Sequence, residues 1–333
     1  MTGQARPVGR PVGRPAADGA PGDPRASSAS AGASESTGSS GTGAHAPVSG
    51  IACVVASALA FGAMAIFARI AYAAGIDTPT LLALRFTIAA VVLATIARLR
   101  GVPMPGGRDV ALLTLMGGLG YAGQAWTFFT ALTLAPAGLV ALLLYLYPAL
   151  VAVLATIFLR ERLTSARIAA LLVALAGMVL TVAPALTGAG QAQPAGIALA
   201  LAAAMIYAIY IVVGTRVSGR VSPWATASIV CAAAGAVFIV VVAWRGAHWP
   251  QTPSGWLAIG AIALVSTVAA ITLFFAGLAR IGATRASTLS TVEPLVTVLL
   301  AALVLHESIA PIQLMGGALI LAAVWMLARP QRG

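Results

Sequence analysis

From residue 50 to residue 328 the chain alternates between long apolar blocks and short polar breaks. The blocks fall near 50–71, 79–97, 110–131, 136–158, 166–184, 195–214, 224–244, 255–278, 284–305 and 310–328. As a helix, each is long enough to cross about 30 Å of hydrocarbon. A helix satisfies its own backbone polar groups in lipid, and an open strand does not. The breaks carry turn and helix-stop signals: Asp77-Thr78-Pro79, Gly101-Val102-Pro103, Ala135-Pro136, Pro184, Pro194, Ser222-Pro223, Pro250 to Pro253, and Pro311. The pattern predicts an all-α integral membrane protein with ten transmembrane helices.

Composition agrees. Of 333 residues, 60% are hydrophobic and 8% charged, against about 45–50% and about 25% in a soluble domain. The net charge is +11 and all 19 basic residues are Arg. In a soluble chain that charge would suggest a nucleic-acid partner. Here no soluble surface exists to carry a basic patch, and no nucleic-acid partner is expected. The placement of Arg gives another explanation. With ten spans both termini share a side. That side holds Arg98, Arg100, Arg108, Arg160, Arg162, Arg167, Arg216, Arg220, Arg280, Arg285, Arg329 and Arg332, whereas the opposite side holds only Arg69 and Arg245. Positive charge concentrates on cytoplasmic breaks. The expected location is the plasma or inner membrane, multi-pass, with both termini cytoplasmic.

Residues 1–49 differ from the rest. They are rich in Gly, Pro, Ala, Ser and Arg, and lack the apolar surface needed to offset ordering entropy. They read as a disordered tail, and no apolar run of a signal peptide precedes residue 50. Cys53 and Cys231 fall inside apolar runs without metal-ligand spacing and read as small core residues. No cofactor or metal is expected.

The two halves of the body repeat at a constant offset of 146. Gly50-Ile51-Ala52 matches Gly196-Ile197-Ala198, and Phe128-Phe129 matches Phe274-Phe275. Leu132, Pro148 and Glu161 match Leu278, Pro294 and Glu307. The repeats are 50–184 and 195–328, with five helices each. Five is odd, so the second enters the membrane from the opposite side. An inverted repeat with a midplane site between its halves is the architecture of many secondary transporters.

In these residues the chain resembles the EamA-type transporters of the drug/metabolite transporter superfamily. The first repeat shows Phe61-Gly62, Leu84-Arg85-Phe86, Gly118-Leu119-Gly120-Tyr121, Phe128-Phe129-Thr130-Ala131-Leu132, Pro148 and Leu159-Arg160-Glu161-Arg162-Leu163. The second shows Leu289-Ser290-Thr291-Val292-Glu293-Pro294, Leu305-His306-Glu307-Ser308-Ile309 and Gly316-Gly317-Ala318-Leu319-Ile320. The resemblance covers about residues 50–328. Arg160 and His306 depart from it, standing where the family usually has Gly before the Glu. The seventh span has no Arg to mirror Arg85. The resemblance implies a transporter that more often exports than imports metabolites, amino acids or foreign compounds.

Ionisable groups inside spans are costly and point to function. Two stand out. Arg85 lies about two turns into span 2 and reads as an anion ligand, as a helix lock, or as a side chain reaching toward the interface. Glu293 lies mid-span in span 9, with Ser290 and Thr297 on its face. It reads as a proton carrier or substrate ligand, or as a structural ion pair or protonated hydrogen-bonding group. Pro294 has no N–H for the carbonyl of Ser290, and Pro148 does the same to Leu144, so spans 4 and 9 carry matched kinks beside Tyr147 and Glu293. Tyr121 and Gln124 of span 3 form a cavity wall or a close-packing face. Tyr207 and Tyr210 share a face of span 6 and line a pocket, or take an interfacial or packing role. Trp126 and Trp325 read as packing; Trp224, Trp249 and Trp256 read as interfacial anchors. For Glu161 and Glu307, at the far ends of spans 4 and 9, the resemblance implies a structural role, capping the N-terminal turn of the next helix, where a carboxylate is suited.

The partners expected are the lipid bilayer, a small organic solute and, through Glu293, protons. No GxxxxGK[ST] loop appears, so a gradient rather than a nucleotide would drive transport. An intramembrane enzyme is disfavoured: no span contains a His, a paired acid, HExxH or GxSxG. A non-transporting receptor or scaffold is the other alternative.

Overall fold

The computed structural model describes residues 45–158, 165–186, 192–214, 220–281, 289–290 and 292–328. Most of the 1–49 tail lies outside them, as do Glu161 and six of the Arg residues in the charge pattern. The regular structure among the described residues is entirely helical. Span 1 is α1 (His45–Gly62) with α2 (Met64–Ala73), and span 2 is α3 (Thr78–Leu99). Span 3 runs as α4 (Gly107–Leu115), a π-helical stretch Met116–Tyr121 and α5 (Ala122–Leu134). Span 4 is α6 (Ala137–Leu144) with α7 (Tyr147–Phe158). Spans 5, 6 and 7 are α8 (Ser165–Leu186), α9 (Pro194–Gly214) and α10 (Pro223–Arg245). Span 8 repeats the pattern of span 3, as α11 (Pro253–Ala263), a π-helical stretch Leu264–Ala269 and α12 (Ala270–Ile281). Spans 9 and 10 are α13 (Val292–Val304) and α14 (Pro311–Ala328). Six of these rods are long and apolar enough to cross a membrane; Ile168–Thr181, Val292–Val304 and Pro311–Met326 are shorter apolar stretches.

Local sequence explains the interruptions. In span 4 the helix breaks at Tyr145-Leu146, just ahead of Pro148, and the amides of Leu146 and Ala149 turn back to the carbonyls of Leu143 and Leu146. A ring in place of an N–H forbids a straight continuation. Span 2 begins cleanly because the Asp77 carboxylate accepts from the Thr80 amide at 3.1 Å, with Pro79 in the first turn.

Helix pairing obeys the repeat. Span 1 packs on span 8 as span 6 packs on span 3, and span 9 packs on span 1 as span 4 packs on span 6. Spans 2 and 7 pair with each other, as do 5 and 10. Exchanging the halves leaves this pattern unchanged. Small residues make the close approaches, since apolar side chains alone gain little by leaving lipid. A Cβ on Gly316 would lie 2.6 Å from the Gly177 carbonyl oxygen and 2.5 Å from the Thr181 nitrogen. One on Gly117 would lie 2.5 Å from the Val230 carbonyl oxygen.

The breaks sort into two ends. At one, Arg69 donates to the Leu132 carbonyl at 2.7 Å, and the Gln251 amide donates to the Ala74 carbonyl at 2.7 Å. The Gln193 amide donates to the Leu134 carbonyl at 2.9 Å, and His248 meets Asp77 at 3.3 Å. These join the breaks 1–2, 3–4, 5–6 and 7–8. At the other end Arg220 pairs with Asp109 at 3.2 Å and Arg100 sits 4.6 Å over the Trp224 ring, joining breaks 2–3 and 6–7.

Two expectations are corrected. Trp325 is 45% exposed and faces outward rather than packing inside. Glu307 caps no following helix. Its carboxylate accepts from the amides of Ala137 at 2.8 Å and Gly138 at 3.2 Å, at the start of α6 in the other repeat. His306, with φ 53, ends α13 in the left-handed conformation that glycine prefers. The Glu307 amide then bonds back to the Ala301 carbonyl at 3.1 Å, closing the helix end and aiming the carboxylate.

Candidate functional site

Between the repeats lies a cavity in two connected parts. The larger, about 670 Å³, is lined by Ser57, Phe61, Tyr121, Tyr147, Tyr210 and Glu293 among others. The smaller, about 120 Å³, adds Arg85, Gln124, Phe128, Phe129 and Thr297. Tyr145 and Tyr207 border both. The size suits a small organic ligand. Along span 4 the small part reaches back to Ala141, while the large part runs on to Ala152. The large part therefore extends toward the Arg220–Asp109 end.

The nine residues singled out in the sequence, Arg85, Tyr121, Gln124, Tyr147, Tyr207, Tyr210, Ser290, Glu293 and Thr297, all border one part or the other. Pro148 borders the large part, and Pro294 is buried in the first turn of α13. Their duties differ. The Thr297 hydroxyl donates to the Gly62 carbonyl at 2.9 Å, so it ties span 9 to span 1. Gln124 is 8% exposed, and its amide makes no hydrogen bond among the described residues.

Arg85 is 3% exposed. Its Nε donates to the Thr267 hydroxyl at 3.1 Å and its Nη2 to the Tyr121 hydroxyl at 3.4 Å. Its guanidinium carbon lies 4.8 Å from the Phe86 ring centre and 5.1 Å from that of Phe129. Among the described residues no carboxylate pairs with it. Placing an Arg at a helix centre in a membrane costs about 2.5–3.5 kcal/mol. One charge-assisted hydrogen bond, about 1.5–3 kcal/mol, and a desolvated cation–π contact of about 2 kcal/mol offset that. Neutral partners thus hold the charge without neutralising it. The Thr267 hydroxyl in turn donates to the Ile262 carbonyl at 2.8 Å. The Tyr121 hydroxyl accepts from Arg85, and Tyr121 borders both parts of the cavity.

Glu293 sits where α13 faces the break in span 4. Tyr145 Oη lies 2.8 Å from Glu293 Oε2 and 3.0 Å from the Ser290 carbonyl oxygen. Proline has no N–H to offer that carbonyl, and the tyrosine hydroxyl donates to it. A run of rings connects the two ionisable groups. Tyr145 meets Tyr147 at 5.8 Å, Tyr147 meets Tyr207 at 4.6 Å, and Tyr207 meets Tyr210 at 6.2 Å. Tyr210 meets Tyr121 at 5.8 Å.

Sequence reasoning missed Tyr145 and Thr267. Thr267 was findable, since it stands 146 residues after Tyr121. Tyr145 had only its place at the break before Pro148.

Comparison with known proteins bears on the fold and its use. A "Probable terminal-alkyne amino-acid exporter" of Streptantibioticus cattleyicolor is 29% identical over 259 residues, 75% of this chain and 83% of that protein. The "Aromatic amino acid exporter YddG" of Ancylobacter novellus is 30% identical over 251 residues, 74% of this chain and 87% of that one. The "Threonine/homoserine exporter RhtA" of Escherichia coli is 33% identical over 132 residues, 38% of this chain and 43% of that one. A solved crystal structure shares the fold with a TM-score of 0.59 at 24% identity, over 85% of this chain and 96% of its own. The profile of the EamA-like transporter family matches residues 48–183 and again residues 194–329. With two matched repeats spanning most of its length, this chain belongs to the EamA-like transporter family and is a multi-span membrane transporter of the drug/metabolite superfamily.

Proposed function

We propose that this transporter exports a small zwitterionic solute of amino-acid type by alternating access, with protons moving the other way through Glu293. One observation carries the reading: a single cavity holds a guanidinium and a carboxyl group that do not pair with each other, with tyrosine rings between them. A solute carboxylate would take the remaining N–H groups of Arg85 and the Tyr121 hydroxyl. Its ammonium group would face Glu293. Gln124 would supply a further polar contact, and the apolar part of the solute would lie on Tyr147, Tyr207 and Tyr210. The named relatives, exporters of amino acids by their descriptions, support the same class.

Alternating access follows from the repeat. The end holding Arg69, Asp77 and Glu307 is bridged by hydrogen bonds between breaks, while the large part of the cavity extends toward the other end. In the orientation expected from Arg placement this is a cytoplasm-facing state, ready to load. The exchanged arrangement would open the opposite end.

The test is reconstitution into proteoliposomes with a panel of radiolabelled L-amino acids under an imposed pH gradient. Gradient-dependent transport of at least one, lost in Arg85→Ala, is the expected result. Full transport by Arg85→Ala, or no flux of any amino acid, would overturn the reading.

A further inference from the structure

A further cavity lies at the bridged end of the molecule. It measures about 560 Å³ and is bordered by Arg69, Thr133, Gly138, Gln193, Val298 and Glu307 among others. Thr133, Gln193 and His306 on its rim are exposed, so it opens to solvent. It follows directly on the small part of the central cavity, because the same four spans line both. On span 1 the central cavity reaches Ala65 and the further one takes Arg69. On span 3 the corresponding residues are Phe129 and Thr133. Four residues of helix rise about 6 Å. On span 4 Ala141 borders the central cavity and Gly138 the further one; on span 9 the change falls between Thr297 and Val298. Gly138 packs on Val298 at that level, where a Cβ on the glycine would lie 3.6 Å from Val298 Cγ2. A partition about one turn thick therefore separates the central cavity from an outer vestibule.

The vestibule repeats the chemistry of the central cavity. Arg69 donates through Nη1 to the Leu132 carbonyl at 2.7 Å. That bond occupies one of its N–H groups and leaves the others. Among the described residues no carboxylate pairs with it. Glu307 borders the same space, with its carboxylate held by the amides of Ala137 and Gly138 and no cation against it among the described residues. A guanidinium and a carboxylate thus share a cavity without pairing, as Arg85 and Glu293 do. The two guanidinium groups are also in step along span 3. Arg85 lies 5.1 Å from the Phe129 ring centre, and Arg69 binds the carbonyl of Leu132, three residues further on. Arg is disfavoured on the non-cytoplasmic side of a membrane protein. In the expected orientation Arg69 stands on that side, and unlike the exposed Arg245 it is half-buried in a cavity wall.

We propose that the vestibule is a second binding site for a small zwitterionic solute, taken up after the central cavity on the way out. Arg69 is the ligand of the solute carboxylate, and the ammonium group faces Glu307. When the halves exchange, Gly138 and Val298 part, and a carboxylate leaving Arg85 meets a second guanidinium about one turn further on instead of an apolar wall. A partly exposed charge holds its partner weakly, which suits a site that must release. The proposal rests on the zwitterion reading of the central cavity, but its test needs no transport.

That test uses the purified full-length protein in detergent micelles, where both ends are reachable. Cys53→Ala and Cys231→Ala remove the native thiols, and Thr133→Cys places one in the vestibule. The rate of its labelling by a water-soluble maleimide is followed against L-phenylalanine, L-threonine and the carboxamide of each. Each amino acid should protect at concentrations about tenfold or more below its carboxamide, the worth of one charge-assisted hydrogen bond. Protection should survive Arg85→Ala, which removes the central ligand, and disappear in Arg69→Gln. Equal protection by acid and carboxamide, none by either acid, loss in Arg85→Ala or retention in Arg69→Gln overturns the proposal. Should Arg69→Gln fail to assemble, the comparison of acid with carboxamide and the Arg85→Ala variant still decide it. Protection that survives Arg85→Ala in a protein that moves no amino acid in proteoliposomes would sink the export reading and sustain the vestibule site. Amino-acid flux without protection would do the reverse.

Discussion

Tyr121 and Thr267 stand 146 residues apart, at the same position of the two repeats, and both bond to Arg85. Each lies in the π-helical stretch of its span. A π turn carries an extra residue relative to an α-helix and often marks a functional site. Here the two turns present one hydroxyl each to a single guanidinium. Arg85→Lys keeps the charge but cannot reach both hydroxyls from one nitrogen with the same fork. Transport of a carboxylate-bearing solute should fall about 30- to 100-fold, the equivalent of one lost charge-assisted bond. Initial-rate flux measurements check this, and Thr267→Val should cost less than Arg85→Lys. Equal or greater loss in Thr267→Val would place the burden on the π turn itself.

The two acids of the second repeat should separate by function. Glu293 borders the cavity, whereas the Glu307 carboxylate is spent on backbone amides of α6. Glu293→Gln should abolish the response of flux to a pH gradient. Glu307→Gln should retain that response while lowering stability by about 1 kcal/mol, because one amide donor loses its charged acceptor. Gradient-driven flux and thermal unfolding in detergent, measured on both variants, test the contrast.

His306→Gly should stabilise the protein. A side chain in the left-handed region costs about 1–2 kcal/mol, partly offset by the unfolded-state freedom of glycine. A net gain of about 0.5–1 kcal/mol is expected. An unchanged or lower unfolding temperature would show that the imidazole contributes contacts of its own.

Gly316→Val should do the opposite. The added side chain meets the backbone of α8 at Gly177 and Thr181, which cannot step aside as a flexible side chain would. A loss of about 1–3 kcal/mol is expected from overpacking. Size-exclusion profiles and unfolding temperature after detergent extraction report it. Gly118→Val is the control, since its Cβ would meet only Val237 Cγ2 at 3.6 Å.

The proposed orientation has its own check. A single cysteine at Met104, in a Cys53→Ala and Cys231→Ala background, should react only with a membrane-permeant maleimide in intact cells. One at Gln251 should react with an impermeant reagent. The reverse pattern would turn the molecule over and reassign the cavity's open end.

Much of the fold was readable because apolar blocks and proline breaks are local features. Arg85 and Glu293 were readable because a charge among apolar residues is conspicuous. Tyr145 was not, because a tyrosine among leucines gains its meaning from Ser290 and Glu293 on another span. Thr267 hid for a related reason: a threonine inside a helix ordinarily bonds back to its own turn, as this one does to Ile262. The π turns were invisible because helix period in the sequence does not register one extra residue. The target of Glu307 was misplaced because proximity along the chain favoured the next helix, whereas the break between spans 9 and 10 folds over the other repeat.

That last contact also sets an order of events. α6 starts at Ala137, but the carboxylate that caps that start arrives 170 residues later in synthesis. Until then the amides of Ala137 and Gly138 lack the acceptor they have in the finished protein. The first repeat thus enters the membrane with an unfinished helix start, and the last hairpin of the chain completes it. Severing the chain between residues 186 and 192 should yield halves that need each other. The first alone would be a substrate for membrane quality control rather than a smaller transporter.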